Sequence, residues 1–521
     1  MKKLHQLGQK SFFRILFSFV ILFITYFYYT DWYISLGIFT DDHFYWGSGE
    51  VYSYLKKHFS ETYYFHRWTA NIPHYIFQSI FGGYWGLFVY KNILLFISII
   101  CIFKFLNSVY QNNLLNIFLI ITLIFYYGFF VRTIGNSYVS SENLFLILVL
   151  LYFSSLKSNQ ICSNNIDFKN LFILGILLGL LIINYTVNLR LVGCLLFLIF
   201  LESLSKEKTI LKSLMIKFSV IMVGIAIISI ILDALIGVLS GHNLINWFKV
   251  YKQYFYFYDT ILIDQYNLRN FDYFKNPQYW LALINIFFAF LFLKETSKEK
   301  KNTSRFIIKL NIIYFITVIL EPLHNVGSTL KYNYAYVFLF FCFINSAVIL
   351  LNIIKNFQIF KKFNVSFFFI FFLINFYIIS SIENNDKLYP HYAKQTDKTS
   401  VKKKIKILSK EVRDTGFVAE KLDKKLVLVD FRKHPKKSPT INTFYGNYSS
   451  LAEPRTRKPK ECSQLKWNIN DKSNTIIVAY HYEGEKNIKE KVLSLLTHCP
   501  GYEIYEYKKL KITNASIFFL K

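Results

Sequence analysis

Residues 214–239 read LMIKFSVIMVGIAIISIILDALIGVL, and this stretch decides the class of the protein. A helix of about 20 apolar residues matches the hydrocarbon thickness of a bilayer. The stretch is apolar all round, whereas a helix on the surface of a soluble core carries one apolar stripe. We therefore predict that residues 214–239 span a membrane.

Similar apolar runs recur along the first 382 residues and predict an α-helical polytopic membrane protein. We count eleven spans, at residues 12–30, 84–108, 114–132, 142–157, 170–187, 190–204, 214–239, 279–293, 306–321, 333–353 and 365–382. The N-terminus is basic, but no small-residue cleavage site follows the first run. We therefore expect an uncleaved first helix rather than a signal peptide.

The charges of the loops predict the orientation of these spans. Basic residues concentrate in four places, which are Lys2–Arg14, Lys206–Lys217, Lys294–Arg305 and Lys355–Lys362. With eleven spans all four lie on one side, and the positive-inside rule makes that side cytoplasmic. We therefore predict an integral protein of a bacterial plasma membrane with a cytoplasmic N-terminus. Residues 31–83, residues 240–278 and the tail after 382 then lie outside.

The net charge of +28 invites comparison with nucleic-acid-binding proteins. Many of the lysines, however, lie in short loops between apolar runs, where the positive-inside rule places them. The joint abundance of Lys, Asn, Ile, Phe and Tyr is typical of an AT-rich genome. We therefore expect membrane lipids, and no nucleic acid, among the partners.

The tail, residues 383–521, has a different pattern from the preceding transmembrane domain, residues 1–382. Short apolar runs predict strands, and helical spacing predicts helices. The strands are Leu426–Phe431, Thr475–Tyr480, Tyr502–Tyr507 and Ala515–Leu520, and the helices are Val401–Arg413 and Lys486–Leu496. These elements predict a small extracytoplasmic α/β domain. Its only cysteines, Cys462 and Cys499, would pair in an oxidising compartment, and two unrelated thiols are the alternative.

The first outer loop, residues 31–83, contains the sequence Thr40-Asp41-Asp42-His43-Phe44-Tyr45-Trp46. Two adjacent acids are ordinary in a solvated loop. One carboxylate can also accept a proton from an attacking hydroxyl or amine. The pair could instead hold a divalent cation against a phosphate.

The motif and its surroundings resemble the C-type glycosyltransferases (GT-C), especially the protein O-mannosyltransferases and the aminoarabinose transferases of lipid A. In that group an acidic pair is followed by an aromatic residue, then by an Arg, a Pro and a Phe-Gly that opens the second span. An acid often begins the fourth span, and a basic residue with a Tyr often precedes a late span. The equivalents are Arg67, Pro73, Phe81-Gly82, Glu142 and Lys331-Tyr332. The chain departs from the pattern near the end of the fifth span, where members often have a Lys and this chain has Asn184, Asn188 and Arg190.

The resemblance implies an inverting enzyme that transfers a sugar from a polyprenyl-phosphate donor to an extracytoplasmic glycan, lipid or protein. Asp41 would be the general base, Asp42 would position the acceptor, and Glu142 would complete the catalytic group. The donor phosphate would be bound by Arg67, Arg190, Lys331 and Tyr332. No cofactor is expected, because the outer loops contain no convincing further acidic pair, and a divalent metal at Asp41 and Asp42 is the alternative.

Plainer interpretations and other functions stay open. Arg190 could snorkel to the interface, Lys331 could be a flanking charge, Arg67 could pair with Glu61, and Glu142 could simply favour a helix N-terminus.

A flippase would place polar residues within its spans, where this chain has Asp233 near a span end and little else. An O-antigen-type polymerase would have its large polar segment between spans rather than at the terminus. A binding scaffold that uses the tail is the remaining class.

Overall fold

A computed structural model describes a mostly helical chain with a β-sheet near its C-terminus. Continuous description covers residues 67–109, 167–184, 188–204, 211–239, 303–319, 421–432, 475–495, 504–510 and 515–520. Shorter pieces lie between residues 116–121, 144–152, 243–248, 280–290 and 411–418, and residue 20 is also described.

The described helices follow the apolar runs of the sequence. They are α1 (Trp68–Phe81), α2 (Gly83–Val109), α3 (Phe168–Asn184), α4 (Leu189–Leu204), α5 (Leu211–Ala226), a π-helix (Ile227–Leu232), α6 (Asp233–Leu239) and α7 (Thr303–Ile319). The segments Trp85–Ser108 and Leu214–Leu239, of 24 and 26 residues, are long and apolar enough to cross a membrane. Helices α3, α4 and α7 coincide with three further predicted spans and are shorter than the segments Trp85–Ser108 and Leu214–Leu239. The other six predicted spans lie wholly or largely outside the described residues.

The chain divides into two compact units. One contains Met1–Tyr33 and Lys91–Pro390, and the other contains Ile34–Tyr90 and His391–Lys521. Most of the predicted first outer loop therefore belongs to the same unit as most of the tail. The predicted domain boundary between residues 382 and 383 lies outside the described residues.

Glycines bring α3 and α5 into close contact. A Cβ on Gly175 would collide with the carbonyl oxygen of Ile221 and lie 2.9 Å from the Cα of Gly224. A Cβ on Gly179 would lie 2.8 Å from the Cβ of Ile228. Gly175 and Gly179 form the small-xxx-small pattern that lets two helix backbones approach in an apolar solvent.

The same contacts show that α3 runs in the same direction as α5 and the π-helix that continues it. Gly175 meets Ile221, and Gly179 meets Ile228 further along the chain. Helix α4 must therefore return the chain to the level at which α3 begins. It starts directly after Asn188, whose buried amide Nδ2 donates to the carbonyl oxygen of Leu181 at 3.0 Å. This hydrogen bond satisfies an acceptor in the last turn of α3 and allows a very short connection.

We expect Gly175→Leu to destabilise the unit that contains α3 and α5 by about 1–3 kcal/mol, because the added side chain must push two backbones apart. Gly193→Leu is the matched control, since a Cβ on Gly193 meets nothing within 4 Å. Thermal unfolding of the purified chain in one detergent compares the two variants. Equal melting temperatures would contradict the close α3–α5 packing.

The C-terminal sheet has four strands in the order β1-β2-β4-β3. They are β1 (Lys425–Asp430), β2 (Thr475–Tyr480), β3 (Ile504–Leu510) and β4 (Ala515–Leu520), and α8 (Ile488–Leu495) follows β2. β1 and β2 are parallel, whereas β4 is antiparallel to both β2 and β3. The four strands and the second helix predicted for the tail are confirmed; β2 and β4 have the predicted ends, and the ends of β1, β3 and α8 differ by a few residues.

A buried polar network joins this sheet to helical residues that precede β1. Arg432 donates to both carboxylate oxygens of Glu411, at 2.6 and 3.0 Å. The guanidinium carbon of Arg432 also lies 4.9 Å from the centre of the Tyr480 ring. The Tyr480 hydroxyl is hydrogen-bonded to Thr415, whose own hydroxyl donates to the carbonyl oxygen of Glu411 at 2.7 Å. Two parallel hydrogen bonds between an Arg and a carboxylate form in only one relative orientation of the two groups. The network therefore fixes the orientation of these helical residues relative to the sheet.

A more exposed ion pair lies at the start of α8. Lys491 donates to the Glu485 carboxylate, which also accepts from the backbone N–H of Tyr482 at 3.0 Å. The hydrogen bond from Lys491, followed by that from Tyr482, favours the charged carboxylate and lowers the pKa of Glu485. The pair holds the turn after β2 against the helix that follows.

Candidate functional site

Helix α1 buries a polar face. Arg67, which precedes the helix, and Asn71, His74 and Gln78 recur at helical spacing and lie on one side. Their residues are 4%, 2%, 0% and 5% exposed, respectively. Buried polar side chains in such a row are uncommon and call for hydrogen-bonding surroundings.

The other side of α1 is apolar and exposed. Ile76, Ile80 and Phe81 are exposed by 45%, 66% and 47%. A helix on a soluble protein shows the reverse pattern, with its apolar stripe inward and its polar side in water. The arrangement in α1 suits a helix whose outer side contacts an apolar medium.

Contacts with α2 hold the polar face in place. The His74 ring meets the Tyr90 ring edge-on at 4.7 Å between centroids, and Phe77 lies 5.5 Å from the same ring. A Cβ on Gly86 would lie 2.6 Å from the Cα of Gln78, so the two backbones touch. The turn between them is made by Gly82 at φ +79°, a conformation that side-chain-bearing residues rarely adopt. The predicted Phe81-Gly82 junction is thus the hinge of a helical hairpin.

Arg67 lies where α1 begins. Its carbonyl oxygen accepts from the backbone N–H groups of Ala70 and Asn71 at 2.9 and 3.1 Å. These bonds form the first turn of the helix and bring the Arg67 side chain to the end of the polar face. A buried guanidinium requires anionic or strongly accepting partners, and its planar fork matches a phosphate or a carboxylate. Glu61, the acid considered as an ion-pair partner, lies outside the described residues.

The other residues predicted for the site are largely outside the described part of the chain. Arg190 lies in α4, although only its backbone is described. The remaining members of the predicted set are Asp41, Asp42, Glu142, Lys331, Tyr332, Cys462 and Cys499, and their placement is not described. The side chains that the structure does describe include no group of three or more His, Cys, Asp or Glu suited to a metal ion.

Sequence reasoning missed three members of the polar face. None of Asn71, His74 and Gln78 belongs to a metal-ligand or nucleophile pattern. Their spacing with Arg67 was available as a signal, since residues 67, 71, 74 and 78 share one side of a helix. Which side would be buried could not be read from that spacing.

A Ser–His pair in the C-terminal sheet is structural rather than catalytic. The His481 Nδ1–H donates to the Tyr482 carbonyl oxygen at 2.9 Å, and Nε2 lies 3.1 Å from the Ser516 Oγ. Ser516 has 0% exposure. A nucleophile must reach its substrate, so this contact instead ties the end of β2 to β4.

Comparisons of the chain with protein-family models, with curated proteins and with solved structures found no match.

Proposed function

We propose that the protein is a membrane glycosyltransferase of the GT-C type. It takes a sugar from a polyprenyl-phosphate donor and transfers it, with inversion, to a glycan, lipid or protein outside the cytoplasm. The proposal includes eleven spans, an outer α/β domain at residues 383–521 and a Cys462–Cys499 disulfide. The acidic pair in the first outer loop and the layout of the chain motivate it.

The observation that carries the proposal is the buried Arg67 at the end of the polar face of α1. The resemblance to the GT-C enzymes implies that Arg67 binds the donor phosphate. Arg67 is 4% exposed and lies on the same side of the helix as three buried side chains that can form hydrogen bonds. Such a row of side chains could line one side of a site for a sugar phosphate. Amides and imidazoles supply the directional hydrogen bonds with which a polar ligand is oriented.

The apolar side of α1 supports a location at the membrane surface. Gly82 connects α1 directly to α2, which contains the segment Trp85–Ser108 that is long and apolar enough to cross a membrane. Trp85 is 58% exposed and Phe81 is 47% exposed, and aromatic residues concentrate at membrane–water interfaces. With Ile76 and Ile80 against lipid, the polar face of α1 would point into the protein.

In the proposed mechanism, Asp41 removes the proton from the acceptor as the acceptor attacks the anomeric carbon of the sugar. The bond from that carbon to the phosphate oxygen breaks, and the polyprenyl phosphate leaves from the opposite face. Asp42 and Glu142 position the acceptor, and Arg190, Lys331 and Tyr332 assist Arg67 at the phosphate. Developing negative charge on the phosphate is stabilised by such cations.

The proposed function is tested with the full chain in nanodiscs and a panel of radiolabelled polyprenyl-phosphate sugars. Label that moves from the lipid fraction to an acceptor supports transfer. Label that crosses the bilayer while still lipid-linked indicates a flippase and contradicts the proposal. Label that stays in place with every donor and acceptor also contradicts it.

We expect Arg67→Gln to raise KM for the donor about tenfold or more, because a hydrogen bond to a charged group contributes about 1.5–3 kcal/mol. Lys104→Gln is the matched control, since Lys104 is an exposed cation on α2. It should leave KM unchanged. An unchanged KM in Arg67→Gln would show that Arg67 does not bind the donor.

A further inference from the structure

Helix α1 folds back along the first turns of α2. Gln78 and Gly86 lie four residues before and after Gly82, and a Cβ on Gly86 would lie 2.6 Å from the Cα of Gln78. His74 and Tyr90 lie eight residues before and after Gly82, and their ring centroids are 4.7 Å apart. Contacts between residues at equal distances from a turn define an antiparallel helical hairpin. All of these residues belong to one compact unit.

This pairing sets the level of α1 relative to the segment Trp85–Ser108. The segment has 24 residues. At about 1.5 Å per residue it is roughly 36 Å long, which exceeds the hydrocarbon core of a bilayer by about 6 Å. Tyr90 lies about 8 Å along the helix from Trp85. Even if all of the excess length projects from the membrane at the Trp85 end, Tyr90 and the His74 ring beside it reach the level of the hydrocarbon.

The outer side of α1 has a composition that suits contact with lipid. Residues 68–81 include no Asp, Glu, Lys or Arg. Ile76 and Ile80 on this side are 45% and 66% exposed. The hydroxyl of Ser79, which is also exposed, donates to the carbonyl oxygen of Tyr75 at 2.7 Å. A hydroxyl that is bonded to its own helix backbone presents no unsatisfied donor to an apolar medium.

The exposed side of the segment Leu214–Leu239 shows the same combination. Met215 and Met222 are 62% and 50% exposed. The hydroxyl of Ser219 on this side donates to the carbonyl oxygen of Met215 at 2.8 Å. This segment is long and apolar enough to cross a membrane. Because the two exposed sides share their apolar composition and their serine hydrogen bond, one medium suits both.

We propose that α1 is embedded in one leaflet of the bilayer, antiparallel to the first turns of α2, with its Ile76 and Ile80 side in contact with the acyl chains of lipids. The inference rests on the membrane location in the proposed function. It goes beyond that function, because part of the loop at residues 31–83 then lies within the membrane. With 14 residues, α1 has a length of about 21 Å, so it reaches only part of the way across the core.

The test measures the depth of α1 with the full chain in phosphatidylcholine vesicles. A genetically encoded fluorescent amino acid replaces Ile76 or Ile80 in separate variants, where the exposure of both positions leaves room for it. The lipids carry bromine either near the headgroup or near the bilayer centre, and iodide on both sides of the membrane is the quencher in water. Each quencher acts only on a fluorophore that it meets, so the pattern of quenching reports depth.

We expect the lipid bromines, and not iodide, to quench the fluorophore at both positions. The fluorophore in place of Ile76 should lie about 5 Å deeper than the one in place of Ile80, because four residues separate them along a helix that runs with α2. Two matched replacements calibrate the result. The fluorophore in place of Met222, within Leu214–Leu239, should be quenched by the lipid bromines, and the one in place of Lys489, exposed on α8, by iodide.

The outcomes separate this inference from the proposed function. Iodide quenching at Met222 contradicts the membrane location and, with it, both proposals. Lipid quenching at Met222 together with iodide quenching at Ile76 and Ile80 contradicts the embedding of α1 alone. Equal depths at Ile76 and Ile80 also contradict it, because they indicate a helix that lies flat on the surface. Quenching by neither reagent at these two positions indicates that protein covers the apolar side, which contradicts contact with lipid.

Discussion

Asp41→Asn is expected to lower the rate of sugar transfer by about 10²–10⁴-fold, because a positioned general base contributes that much to a proton transfer. The amide keeps the shape of the side chain but cannot take the proton of the acceptor. The measurement is initial transfer from the radiolabelled donor at saturating concentrations of both substrates. The KM for the donor should change little, since Asp41 faces the acceptor in the proposed mechanism.

Asp42→Asn is the matched control for Asp41→Asn, because it makes the same chemical change one residue away. We expect a smaller loss, mainly in the KM for the acceptor. Treatment with a chelator tests the alternative in which Asp41 and Asp42 bind a metal ion. In that alternative the chelator would abolish the activity of the wild type, whereas a metal-independent enzyme would keep its activity. Full activity in a folded, monodisperse Asp41→Asn variant would refute the assigned base.

Arg432→Ala is expected to destabilise the C-terminal sheet by about 3–5 kcal/mol, because it leaves the Glu411 carboxylate buried without its ion-pair partner. Glu411 has 6% exposure, and Arg432 provides two of its hydrogen bonds. The variant also loses the contact of the guanidinium with the Tyr480 ring. Amide hydrogen exchange of the full chain measures the effect, which should speed exchange in β1 and β2 by about a hundredfold or more.

Lys491→Ala provides the comparison, since it breaks the more exposed pair with Glu485 in the same sheet region. The Lys491 side chain is 44% exposed, and such pairs contribute about 0–1 kcal/mol. Exchange in β1 and β2 should hardly change. If the two variants behave alike, the Glu411–Arg432 pair does not anchor the sheet.

Local patterns predicted the helices and strands well. The apolar run at residues 214–239 coincides with the segment Leu214–Leu239, and the run at 84–108 coincides with Trp85–Ser108. The strands Thr475–Tyr480 and Ala515–Leu520 have the predicted ends. These features are readable because hydropathy and alternation act over a few neighbouring residues.

The candidate site was predictable only in part. Arg67 could be singled out from its place in a motif, but the motif says nothing about burial. The polar spacing of Asn71, His74 and Gln78 is visible in the sequence, yet an amphipathic helix can present either side to its surroundings. The contacts of α1 with Tyr90 and Gly86 select the polar side for burial.

The sequence by itself determined that the chain is built of long apolar helices followed by a strand-containing tail, because these properties depend on local composition. Tertiary structure decided which faces are buried. It buried the polar side of α1, brought α3 and α5 together at their glycines and folded α1 back along α2. The reason is that burial depends on what packs against a residue, and the pattern of an amphipathic helix does not identify that partner.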